Sequence, residues 1–131
     1  MKRILVCCVT LSLSFMFLNN VSASPTKRFD EATKTCRTFD QDSFWWGTGA
    51  QAFRSSCKPC HTRNNTEDGP FLHSESKTSR GWDRVFFEKY PQCAKDGHWD
   101  SLTMDQLLKI NDYLHRFGAF TYDPNDANDC G

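Results

Sequence analysis

The sequence predicts a small all-α domain. Three observations lead there: a helical stripe of apolar residues from 103 to 117, a shorter amphipathic run from 44 to 56, and no apolar/polar alternation long enough to propose a sheet. At 131 residues the chain has room for one domain. Its 16 basic and 16 acidic side chains cancel, which argues against a phosphate-binding surface and so against nucleic acid as a partner. A domain this short buries only about two-thirds of its unfolded surface, so a disulfide, a metal or a bulky cofactor is an expected part of its stability. The seven cysteines direct attention to which.

Lys2 and Arg3 precede an uncharged run from Ile4 to Leu18, and Val21-Ser22-Ala23 supplies small residues at a cleavage spacing, so residues 1 to 23 read as a secretory signal. Thr10, Ser12 and Ser14 dilute the run, which falls short of the roughly 20 residues that span a bilayer. Cleavage would remove Cys7 and Cys8 with two cations, leaving 14 basic against 16 acidic groups and five cysteines in an oxidising compartment. Residues 24 to 43 show no sustained apolar period and read as an extension on the surface, with Cys36 as its anchor. The domain proper is expected over 44 to 118, followed by an acidic tail over 119 to 131.

Within the domain, Trp46, Ala50 and Phe53 fall at helical spacing in a short helix that runs into Cys57, and Gly49 would let another helix approach closely. His61 to Arg80 is loop, rich in Asn, Ser, Thr and Gly-Pro. Trp82 to Tyr90 predicts two helical turns with Val85, Phe86 and Phe87 available for burial, and Pro91 to Asp100 a second loop. Thr103 and Gln106 then read as a capping box, opening a helix whose stripe is Leu107, Ile110, Tyr113, Leu114 and Phe117 and which ends near Gly118.

Cys57-Lys58-Pro59-Cys60-His61 is C-x-x-C-H, the attachment signal for c-type haem. Two thiols three residues apart suit the two vinyl groups on one porphyrin edge, which leaves the following histidine beneath the iron. A redox-active dithiol normally sits in a βαβ context that is missing here, and a zinc site would need Cys93 and His98 as further ligands without a second C-x-x-C.

Gly49-x-x-x-Phe53-x-x-x-Cys57 leads into the motif, Gly69-Pro70 follows it, and the last helix carries Ile110 and Tyr113. Over roughly residues 49 to 117 this resembles the class I c-type cytochromes. The resemblance implies a small cytochrome c-like fold with crossed N- and C-terminal helices around one covalent haem c. Gly49 and Phe53 would cross Ile110 and Tyr113, Cys57 and Cys60 would bind the haem, and His61 would be the proximal iron ligand. The Pro70 carbonyl would accept the hydrogen bond from His61 Nδ1–H, which leaves Nε2 for iron.

The family's sixth ligand is usually a methionine several residues before the last helix. Signal cleavage leaves only Met104, which the capping box places inside the first turn. His98 is the nearest ligand-bearing residue at the expected position, and so is the expected distal ligand. Met104 and Cys93 are the alternatives, with water, an open position or Lys95 behind them. Two of Cys36, Cys93 and Cys130 can form a disulfide, with Cys36–Cys130 the first choice and Cys93–Cys130 the second. His73 and His115 read as ordinary surface histidines. Asn64-Asn65-Thr66 is a formal glycosylation sequon, and the Asp/Asn string of the tail lacks the glycine and glutamate of an EF-hand loop.

The expected function is that of a periplasmic carrier, not a catalyst. It would pass single electrons between redox proteins in the periplasm or on the membrane surface and have no small-molecule substrate. A haem subunit of a larger oxidoreductase and a gas or redox sensor with an open distal site are the alternatives. Phe53, Phe71, Leu72, Trp82, Phe86, Ile110 and Tyr113 are the expected haem wall. Phe44, Trp45 and Trp46 exceed what one helix must bury, and are expected to cover the haem or contact a partner.

Overall fold

The computed structural model describes residues 25–64 and 69–120. The expected signal, Asn65 and Thr66 of the sequon, and the tail from Thr121 on, with Cys130, lie outside the described residues. Strands β1 (Lys27–Asp30) and β2 (Thr35–Thr38) come first, then a 3₁₀ turn at Gln41–Ser43 and helix α1 (Thr48–Ser56). A second 3₁₀ turn at Ser74–Ser76 leads into α2 (Ser79–Glu88), a single-turn α3 (Gln92–Lys95) and α4 (Met104–Arg116). The fold is therefore mostly helical but not all-α, since β1 and β2 pair antiparallel with Lys27 opposite Thr38 and Phe29 opposite Cys36.

The hairpin escaped the pattern search because its alternation has the wrong polarity. Arg28 and Asp30 face inward and are buried, whereas Phe29 points outward and is about half exposed. Asp30 closes the turn by accepting from the Thr33 N–H and hydroxyl, and Lys34 takes the left-handed conformation. Inward, Arg28 Nε donates to Asp112 Oδ1 at 2.7 Å and its Nη1 to Asp30 Oδ2 at 2.7 Å, while Arg37 Nε spans both oxygens of Asp112. Asp83 of α2 lies 3.8 Å from Arg28 and accepts from or pairs with His115 Nδ1 at 2.8 Å. The anchor of residues 24 to 43 is thus a buried ion network onto α4. Cys36 is exposed on the outer face, and the Cys130 of its expected bridge lies outside the described residues.

Helices α1 and α4 meet at Gly49, the glycine expected to let another helix approach closely. A Cβ on Gly49 would collide with the Lys109 carbonyl, so only glycine permits this approach. Phe53 then reaches the Tyr113 ring, centroids 5.9 Å apart, and joins Trp82, Val85, Ile110 and Leu114 in the buried core. The Thr103–Gln106 capping box forms in both directions, at 2.9 and 3.2 Å. In α2, Trp82 and Val85 are buried and Phe86 partly so, but Phe87 faces solvent.

Two consequences are measurable by chemical denaturation. Gly49→Ala should destabilise the protein by ~1–3 kcal/mol, because backbone cannot rotate away and the clash outweighs the ~1 kcal/mol gained in helix propensity. Asp112→Ala should cost ~3–5 kcal/mol by leaving the Arg37 guanidinium without its carboxylate and the buried Arg28 with one close partner, Asp30, instead of two. Burial pushes the Asp30 carboxyl up, but hydrogen bonds from Thr33 and Arg28 outweigh it and hold the group below its ordinary 3.8. A lowered folded pKa gives stability that is complete above the ordinary value and lost as pH falls through the folded one. Acid unfolding of the Asp30→Asn variant should accordingly show a shallower dependence on pH below about 4.

Candidate functional site

The C-x-x-C-H segment begins at the C-cap of α1 and curls into a turn. Cys57 N–H bonds the Phe53 carbonyl, and His61 N–H bonds back to Cys57 and Lys58. Residues 69 to 72 fold back across this turn. Leu72 N–H donates to the His61 carbonyl at 3.3 Å, and Lys58 Nζ donates to the Leu72 carbonyl at 2.7 Å while standing over the Phe71 ring. Gly69 lies flat against the imidazole, and a Cβ there would be 3.1 Å from two ring atoms and 2.7 Å from the Cys60 carbonyl.

That backbone return places the Pro70 carbonyl 2.7 Å from His61 Nδ1. A carbonyl can only accept, so Nδ1 carries the proton and Nε2 keeps its lone pair. The tautomer is therefore set for coordination through Nε2. Proline contributes no N–H of its own at this crossing, and the hydrogen bond joins two residues nine apart in the chain.

The two thiols differ. Cys60 is exposed, whereas Cys57 is half-buried and packs against the core beside Ala52 and Leu72. Burial, with the nearby Cys93 and Cys60, pushes the Cys57 thiol up to about 12.

Of the expected wall, Phe53, Trp82 and Ile110 are buried, and Leu72, Phe86 and Tyr113 pack partly buried around them. Phe71 is 37% exposed, held between Lys58 and Arg63. Tyr90, Trp99 and Leu102 join the same rim, Trp99 stacking on Phe86 with centroids 5.1 Å apart. Sequence reasoning missed these three because they lie between helices. An isolated Trp in a polar loop was the available signal. Cys57 packs against the same half-covered apolar cluster.

The distal candidates are not brought together equally. His98 is exposed, beyond the turn that follows α3, and Met104 opens α4 with 55% of its surface exposed. Cys93, on α3, is half-buried and close enough to Cys57 for their charges to interact. Among the described residues no three His, Cys, Asp or Glu side chains gather around a common point, so Cys57, Cys60, Cys93 and His98 do not form a ready four-ligand set. His73 caps the 3₁₀ turn by accepting from Glu75 N–H, and His115 pairs with Asp83. Trp45 and Trp46 precede α1, at the end of that helix opposite to Cys57, and so do not cover the motif.

Comparison with protein-family models, curated proteins and solved structures returned no match. In the reduced protein with both thiols free, Cys57 at pH 8 should carry about three orders of magnitude less thiolate than a thiol at the ordinary 9.0. Alkylation followed by peptide mapping should find Cys57 modified at least roughly ten-fold more slowly than Cys60.

Proposed function

We propose that the chain is an exported monohaem c-type cytochrome that carries single electrons between redox proteins. The observation that carries this reading is the His61 Nδ1 to Pro70 carbonyl hydrogen bond, which readies Nε2 for iron next to two thiols at the spacing of the haem vinyl groups. Each thiol would add its S–H across a vinyl double bond, sulfur to one carbon and hydrogen to the other, with no net oxidation. Haem iron, when bound, supplies the one-electron change between ferric and ferrous states. Gly69 allows the close backbone approach, Lys58 holds the returning strand, and the rim from Leu72 to Leu102 would exclude water from the apolar faces.

For the sixth position, what supports Cys93 over His98 and Met104 is its shelter, since the other two are exposed. Thiolate ligation favours the ferric state and lowers the potential relative to a thioether. Protein made with a haem-attachment system should retain haem through denaturing electrophoresis, and Cys57→Ala with Cys60→Ala should abolish that retention. Haem lost from the wild type on such a gel would defeat the proposal. Cys93→Ala should change the ferric absorption and EPR spectra, while His98→Ala and Met104→Ala leave them unaltered; the reverse pattern reassigns the ligand without touching covalent attachment.

A further inference from the structure

Phe44, Trp45 and Trp46 form one exposed aromatic projection just before α1. Trp45 is 62% and Trp46 50% exposed. The rings are held by one another: Phe44 stacks on Trp46 with centroids 4.6 Å apart, and Trp45 meets Trp46 edge-on at 5.0 Å. Two cations fasten the projection to the domain. The Arg116 guanidinium lies 3.8 Å from the Phe44 centroid and donates to Ser43 Oγ, and Arg54 Nη1 donates to the Trp45 carbonyl at 3.1 Å.

Neither Arg54 nor Arg116 has a carboxylate partner among the described residues. Of the acids on the segment before the rings, Asp42 is matched by Lys109 at 3.2 Å and the exposed Asp40 accepts from the Asp42 N–H. Indole rings with an apolar body and one N–H favour the boundary between hydrocarbon and water. Guanidinium groups without a carboxylate partner suit phosphate oxygens, with which they form paired hydrogen bonds. No helix among the described residues is long and apolar enough to cross a membrane, so contact with a bilayer here would be at its surface.

We infer that Trp45 and Trp46, flanked by Arg54 and Arg116, dock this protein on the surface of an anionic lipid bilayer. The inference does not depend on the haem. α1 runs from the docked end to Cys57, so the C-x-x-C-H turn begins about 14 Å from that end along the helix axis.

The test is co-sedimentation of the whole exported protein with vesicles of phosphatidylcholine, with and without about 30% phosphatidylglycerol. Binding should require the anionic lipid and weaken with salt. Trp45→Ala with Trp46→Ala should reduce it at least about ten-fold, and Arg54→Gln about five-fold, with circular dichroism unchanged in both. Absence of binding to anionic vesicles overturns the inference, as does binding that survives the double tryptophan substitution. Self-association that disappears in that variant, with no vesicle binding, assigns the projection to a second copy and also overturns it.

Discussion

The crossing of α1 and α4 at Gly49 is the constraint from which the rest of the structure follows. Where the Lys109 carbonyl occupies the space of a side chain, the two helix axes come close enough for Phe53 to lie against Tyr113 and Ile110. Phe53 is also one turn before Cys57, whose N–H bonds to the Phe53 carbonyl. The position of the C-x-x-C-H turn relative to the core is therefore inherited from a glycine two helical turns upstream. Trp82 and Val85 complete the buried cluster from α2, and the partly covered apolar residues gather around the same turn.

Beyond that crossing, the remaining face of α4 is closed by charge instead of hydrocarbon. Asp112 takes Arg28 and Arg37 from the two strands, and Asp83 with His115 extends the network to α2. Such a network is a costly way to join surfaces unless its hydrogen bonds are well made, because each buried ion loses hydration. Here Asp30 and Asp112 each accept several bonds. A hydropathy reading could not see this closure: the inward strand positions are Arg28 and Asp30, and the apolar Phe29 faces outward. Cys36 lies across from Phe29 on the same outer face.

Trp46 shows the opposite error. Its spacing to Ala50 and Phe53 placed it on the buried stripe, yet α1 starts at Thr48 with Gly47 as its cap, so Trp46 lies before the helix and leaves the stripe. Gly47 sits against the Gln41 and Asp42 backbones, with no room for a Cβ. The chain therefore turns sharply there, and the aromatics stand away from the core. Because the helix starts only at Thr48, Trp46 moves from the expected stripe to the surface, beside Trp45.

Features whose chemistry is contained within a few residues were determined by the sequence itself. The Thr103–Gln106 capping box, the stripe of α4 and the turn of the C-x-x-C-H motif depend on spacing, and spacing is what a sequence records. The Gly49 crossing and the His61–Pro70 hydrogen bond were legible through resemblance to a family. Their reality here rests on backbone segments meeting across the fold. Tertiary structure alone decided which charges are buried, which tryptophans are exposed, and that Cys93 is sheltered while His98 and Met104 face solvent. Burial is a property of two surfaces in contact, and the identity of the second surface is not written in the spacing of the first.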